Sequence, residues 1–292
     1  ARSFTLIELL VVVAIVATLL AILLPSLQRS RRQARGAMCL SNLRSLSHGW
    51  HMYADDHQDV ILPGRFFKAP GGTANPANWY DVGNGMKYRP RWVAAMGQYV
   101  GLFAFNRPRT DDDRQDYDSK VYVCPEAPAW SDERNAAYGY NHQFLGNARK
   151  SGGKFINWPV NRSRIKVFAQ TVLGADGLGT AAGFPASQRR PYSNQGIDFR
   201  ELGNHAWSVD PPRLTTNSDK GTGDPGSPRT AVDARHLGHV NAVFCDGHGE
   251  SRTPQQLGYA PEATGLFPDA APEAQNRLFS GTGRDDDPPP KL

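Results

Sequence analysis

From Leu9 to Leu24 the chain is apolar at every position except Thr18, and extending back to Phe4 adds only Thr5 and Glu8 as polar interruptions. Those 21 residues, wound as a helix, span about 31 Å at a rise of about 1.5 Å each, the thickness of a bilayer's hydrocarbon layer. The rest of the 292 residues is polar enough to bring mean hydropathy to −0.51, so there is one such span and no second. A removed signal peptide, a plain single-pass anchor and a buried core helix compete for it. A signal peptide has a shorter apolar stretch followed by a small-residue cleavage site, whereas here Leu23-Leu24-Pro25-Ser26-Leu27 leads into a helical pattern. A core helix is amphipathic, and this run is apolar all round. The anchor fits best but leaves Glu8 unexplained, because a carboxylate in an apolar span is costly to insert and usually has a partner and a function.

Beyond Pro25, the series Cys39, Leu43, Leu46, Trp50, Tyr53 steps by 4, 3, 4 and 3, which is one face of an α-helix. The apolar helix therefore continues into an amphipathic half. Arg29, Arg31, Arg32 and Arg35 crowd the joint. On a plain anchor the positive-inside rule would place the large domain in the cytoplasm; as a headgroup-facing collar the arginines need no special function, and specific lipid or nucleic-acid contact is the alternative.

Ser3 to Ile15 (Ser-Phe-Thr-Leu-Ile-Glu-Leu-Leu-Val-Val-Val-Ala-Ile) resembles the processing and assembly segment of type IV pilins and pseudopilins. The resemblance implies cleavage between Ser3 and Phe4 by a prepilin peptidase, N-methylation of the new amine, and Glu8 as the assembly glutamate. It implies that Pro25 stands where pilins carry a proline that breaks the first helix as subunits pack. Ser3 departs from the family's usual glycine. The chain opens at Ala1 rather than methionine, and a leader segment is expected upstream. A second resemblance rests on Cys39-Leu40-Ser41-Asn42-Leu43-Arg44 through Met52 to Asp56, the Val123-Cys124-Pro125 step, Tyr138-Gly139-Tyr140-Asn141, and His236 followed ten residues on by Asp246-Gly247. These are similar to pilin-like proteins with an H-x9-DG motif near the C-terminus, a likeness that implies architecture more than activity.

The expected fold is α+β: a long N-terminal helix packed on an antiparallel β-sheet headpiece with long loops. Its parts are the helix over 1–57 (hydrophobic 4–24, amphipathic 26–57), the headpiece over 58–252 and a C-terminal loop and tail over 253–292. Glycine (29) and proline (22) are frequent enough to predict many loops yet fall short of low-complexity disorder. β-branched and aromatic runs predict strands at Lys120 to Cys124 and Arg164 to Gln170. Val240 to Cys245 and His248 to Arg252 flank Asp246-Gly247, which predicts a hairpin on a type I′ turn. Gly174 to Pro228 carries little periodic hydrophobicity and is expected as long surface loops. The acidic, proline-ended stretch from Asp285 to Pro290 is expected to be mobile unless a neighbouring subunit pins it.

Chemistry is sparse in the sequence. A net charge of +5 does not indicate a nucleic-acid partner. No G-x-S-x-G, H-E-x-x-H or Walker motif is present, and no enzyme is expected. His236, His239, Asp246 and His248 are suitable ligand types for zinc, but alternation on a hairpin prevents all four from converging, so His236 is expected to hydrogen-bond to the Asp246-Gly247 turn. Asp111, Asp112, Asp113, Asp116 and Asp118 offer oxygen ligands for calcium, which some pseudopilins hold; without the spaced glycine and terminal glutamate of an EF-hand, a solvated acidic loop with no cofactor is expected. Trp50, Trp79, Trp92, Trp130, Trp158 and Trp207 are expected to build the core. Cys39 and Cys124 are expected to pair as a disulfide if the headpiece lies outside the cytoplasm, with Cys245 a small buried hydrophobe. The reading is a filament subunit partnered by copies of itself, held first in the inner membrane and then at the cell surface. A minor pseudopilin of a type II secretion system and a membrane-anchored binding protein that never polymerises are the alternatives.

Overall fold

Thr5 starts the helix that dominates the chain. The computed structural model describes residues 5–109, 114–146, 148–151, 154–157, 159–193, 198–216, 218–221 and 226–289. Thr5 is extended, its hydroxyl accepts from Glu8 N at 3.2 Å, and Glu8 Oε2 accepts from Thr5 N at 2.8 Å. This reciprocal capping box satisfies two of the N–H groups a helix start leaves open. Helix α1 then runs Leu6–Asp56, 51 residues, or about 76 Å. It passes through Pro25 without ending. The helix stops where Gln58 and Asp59 take positive φ and Asp59 N returns to Ala54 O at 2.9 Å.

Residues 5–35 are exposed throughout, and burial begins only at Cys39. From there Cys39, Leu43, Leu46, Trp50 and Ala54 are fully buried and Tyr53 half-buried, so the amphipathic face predicted by spacing is the face that packs.

In chain order the remaining elements are strands β1 (Trp79–Asp81) and β2 (Met86–Tyr88), short helix α2 (Gly97–Val100), strands β3 (Tyr138–Tyr140), β4 (Ala148–Ser151), β5 (Lys154–Asn157), β6 (Val172–Gly179), β7 (Ala231–Val232), β8 (Val240–Phe244) and β9 (Gly249–Arg252). The main sheet runs β3-β6-β8-β9, antiparallel throughout, with β7 also paired to β6; β1-β2 and β4-β5 are separate hairpins. Helix α1 lies across β6, β8 and β9. One face of the sheet packs Leu173, Val243 and Cys245 against Leu43, Leu46 and Trp50. The other packs Val172, Ala175, Val240, Ala242 and Phe244 against Leu257, Tyr259, Phe267 and Phe279. Both faces are thus covered, which is why β8 reads as a continuous buried run rather than an alternating one. The α+β architecture and the β8-β9 hairpin are those expected from the sequence.

Several local expectations change. Lys120–Tyr122 is a 3-10 turn, and Arg162–Arg164 and Phe168–Gln170 are two more, where strands were expected. Strand propensity measures how a side chain fits a pleated, half-buried surface, and these runs have no strand beside them to pair with. The opposite error covers Gly174 to Pro228. It was expected as surface loop, yet β6 is the buried centre of the sheet. Its glycines replace side chains with backbone: a Cβ on Gly177 would stand 2.6 Å from Ala206 O, and one on Gly174 2.9 Å from Gly139 O. The strand is buried by main chain packing against main chain, which leaves no hydrophobic pattern.

The β8-β9 turn is also not type I′. Positive φ is confined to Gly247 (+92), Gly247 N reaches Phe244 O at 2.9 Å, and Phe244 N reaches His248 O at 2.9 Å. That is a three-residue loop with glycine in the left-handed bulge position. Two consecutive positive φ values occur instead at the preceding turn, Leu237-Gly238, between His236 and His239, which exchange backbone bonds at 3.1 Å. The acidic C-terminal stretch is held by its own headpiece: Arg213 binds the carboxylates of Asp285 at 2.5 Å and Asp287 at 3.0 Å, and Asn276 N donates to Asp285. Pro290 lies outside the described residues.

Candidate functional site

Among the described residues, chemistry gathers at each end of the exposed half-helix. At the start of α1, Glu8 sits among Leu6, Ile7, Leu9 and Leu10, all at least half exposed. Its carboxylate takes the Thr5 hydroxyl at 2.9 Å as well as the Thr5 amide. Ser3 and Phe4, the expected processing site, lie outside the described residues. The large apolar side chains from Leu6 to Leu27 are exposed, so this surface has no partner within the described chain. A helix long and apolar enough to cross a membrane is therefore present, and none of its apolar window is buried. At the joint, Arg32 and Arg35 turn back to Glu126 at 3.9 and 3.8 Å, and Arg32 also reaches Arg235 O at 3.5 Å. Two of the four collar arginines thus mark where the headpiece meets the helix.

The other end lies at the first buried turn of α1. Cys39 from α1, Cys124 from the loop after the Lys120–Tyr122 turn, Asp176 from β6 and His236 from the turn before β8 point at one another, with one ligand atom from each within 4.8 Å of all the others. Cys39 Sγ donates to Asp176 Oδ1 at 3.1 Å. His236 Nε2 lies 3.3 Å from Asp176 Oδ2 and 3.6 Å from Cys124 Sγ. Asn241 N donates to Asp176 Oδ2 at 2.8 Å. Cys39, Cys124 and Asp176 are fully buried, and His236 is 7% exposed. The expected pairing of Cys39 with Cys124 brings the two residues together, but as free thiols rather than a disulfide. Burial opposes charge on His236, yet its hydrogen bonds to Asp176 and Cys124 push it up to about 9. Burial, then the hydrogen bond with Cys124, pushes the Cys39 thiol up, while that same bond draws Cys124 down.

His236 therefore does not tie down the Asp246-Gly247 turn. The two ends of the H-x9-DG spacing bracket β8, and both rest on α1. A Cβ on Gly36 would lie 3.4 Å from His236 Nδ1; one on Gly247 would lie 3.8 Å from Ser47 Oγ. The spacing is the footprint of one strand laid along one stretch of helix. His239 stays exposed, and His248 pairs on the surface with Asp246 at 2.5 Å and Glu250 at 3.3 Å. Sequence reasoning missed Asp176; its signal was a lone acid inside the apolar and glycine run from Val172 to Gly179.

In the acidic loop, Asp111, Asp112 and Asp113 lie outside the described residues, and Asp118 spends a carboxylate oxygen on Asn106 N at 2.8 Å. Trp50, Trp92, Trp130 and Trp207 are buried, and Trp79 is half-buried with its Nε1 on Thr73 O; Trp158 lies outside the described residues. Cys245 is fully buried in the helix-facing core.

Comparison with known proteins agrees with the N-terminal geometry. Residues 1–24 match the family model for the prokaryotic N-terminal methylation motif. This supports a type IV pilin- or pseudopilin-like precursor with a membrane-anchored N-terminal helix that is processed by a prepilin peptidase. No curated protein and no solved structure matches the chain.

Proposed function

We propose that this chain is the structural subunit of a type IV pilus-like extracellular filament, stored in the inner membrane and assembled through α1. One observation carries the reading: the methylation motif coincides with a helix whose apolar residues from Leu6 to Leu27 are all exposed while its following turns are clamped to a folded headpiece. Leaving lipid is tolerable only if that surface repacks against copies of itself. A carboxylate carried into such a dry bundle requires a positive partner, and the N-terminal amine of a neighbouring processed subunit has the right charge and depth. The headpiece faces outward and gives the filament its surface.

Electron microscopy of sheared cell-surface material, with intact-mass analysis of the same fraction, tests this. The expected result is abundant filaments built of this chain, beginning at Phe4 with a methylated amine. Membrane-bound chain without surface filaments would contradict the pilus assignment and favour a short pseudopilus in secretion.

A further inference from the structure

We propose that Cys39, Cys124, Asp176 and His236 form a structural zinc site that fastens α1 to the headpiece at the point where the helix leaves it. The four side chains come from four separate segments, and all are electron-pair donors converging on one point. Two of the contacts compete for one ring nitrogen. His236 Nε2 carries at most one hydrogen, yet it faces both Asp176 Oδ2 and Cys124 Sγ, and Asp176 Oδ2 already accepts from Asn241 N. A cation at the centre would satisfy all four donors at once.

A catalytic reading fits the geometry poorly. In a nucleophile-histidine-acid triad the acid and the nucleophile engage opposite ring nitrogens, whereas here both meet Nε2. Three of the four residues are also fully buried, and only His236 is exposed at all, at 7%.

The donor set selects the metal. Two thiols, an imidazole and a single carboxylate suit zinc, while calcium and magnesium require shells of oxygen. Tetrahedral zinc with bonds of roughly 2.0–2.3 Å places its ligand atoms roughly 3.3–3.8 Å apart. The separations of 3.3 and 3.6 Å at His236 Nε2 already match, while the 3.1 Å between Cys39 Sγ and Asp176 Oδ1 must lengthen by a few tenths of an ångström and the widest, within 4.8 Å, must close by about an ångström or less. One outer contact orients a ligand, the Asn241 amide on Asp176 Oδ2, and the Asp233 N to Asp176 O bond at 2.8 Å fixes the backbone that carries it. Two thiolates and a carboxylate around a divalent ion leave one net negative charge, and the half-buried Arg235 lies alongside, held by Asp233 at 3.0 Å and stacked on Trp130. A pocket lined by Arg32, Gly36, His236 and Asn241 brings the surface up to one of the four ligands, His236.

Four ligands held by zinc would join α1 to the sheet across long stretches of chain, so the metal would resist the helix being pulled from the headpiece. The test uses the full-length chain purified in detergent. Elemental analysis is expected to find one zinc per chain after gel filtration, and chelated protein is expected to recover one equivalent from zinc chloride alone. Cobalt substitution is expected to give the visible bands of a tetrahedral site and a near-ultraviolet thiolate-to-cobalt transition. Asp176→Asn, which keeps the side chain's shape, and Cys124→Ser should each lower zinc affinity by at least about tenfold, whereas Cys245→Ser, outside the cluster, should retain the metal. Failure of the wild-type chain to retain added zinc overturns the proposal. So does an intact mass two hydrogens lighter with a Cys39–Cys124 disulfide, or cobalt spectra without the thiolate band.

Discussion

The two halves of α1 are one continuous helix with opposite relations to the rest of the molecule. Residues 6–24 are apolar except Glu8 and Thr18, residues 25–35 are mostly polar and basic, and all of them are exposed; residues 36–56 present one apolar face, and that face is buried. Propensity does not separate them, since both are helical. The partner does: the second half finds its partner in the sheet of its own chain, and the first half must find one in lipid or in other copies. The contrast teaches that helix formation and helix burial are independent decisions, the first made by capping and local sequence, the second by where complementary surface lies.

The sharpest break of that comparison is to truncate one large side chain in each half. Trp50 is fully buried and donates from Nε1 to Tyr140 Oη at 3.0 Å. Trp50→Ala should cost about 3–5 kcal/mol of headpiece stability. Leu20→Ala, on the exposed half, should change it by less than about 0.5 kcal/mol. Urea unfolding of the detergent-solubilised chain, followed by tryptophan fluorescence for Leu20→Ala and circular dichroism for Trp50→Ala, measures both. Equal losses would show that the exposed half packs on the headpiece after all.

A smaller effect is expected where the sheet touches the clamped half. Gly247 holds φ +92 beside Ser47 and His48, with room for a Cβ but a backbone that β-branched residues resist. Gly247→Val should therefore destabilise by about 1–2 kcal/mol through backbone strain, and Gly247→Asn by less. Identical melting of the two variants would mean that the loop relaxes freely and that its conformation does not set the packing of β8 on α1.

The smallest effect belongs to the exposed contacts that hold the C-terminal stretch. Arg213→Ala removes the exposed bridges to Asp285 and Asp287 and should cost no more than about 1 kcal/mol. Limited proteolysis is the more sensitive readout: cleavage near Asp285 should accelerate while α1 and β8 stay protected. Unchanged cleavage would assign the pinning to Asn276 and the buried Pro288 instead.

What was legible in the sequence follows the same division. The whole of α1, its packing face and the β8-β9 hairpin were readable because each has a period: continuous apolarity, steps of three and four, and two extended runs around Asp246-Gly247. β6 was not readable, because Gly174, Gly177 and Gly179 bury backbone against backbone and leave no side-chain pattern. The closeness of Cys39 and Cys124 was anticipated, but their company was not. Asp176 and His236 join them only through the pairing of β6 with β8, a relation between positions far apart in sequence. Assigning His236 to the Asp246-Gly247 turn failed for a simple geometric reason: the intervening residues form an extended strand, which carries the two ends apart.

The central claim is that Glu8 serves assembly and not folding. Among the described residues its hydrogen bonds go to Thr5 alone, in the exposed first turn, more than thirty residues before Cys39 begins the packed half. The deciding measurement is filament yield by electron microscopy from cells expressing Glu8→Ala, beside the membrane-bound pool by immunoblot and headpiece melting of the purified chain. Filaments should fall sharply, the membrane pool should rise because no acid enters lipid, and melting should stay within about 0.5 kcal/mol of the parent. Normal filaments from Glu8→Ala would contradict the account and leave a membrane-anchored, non-polymerising protein as the better description.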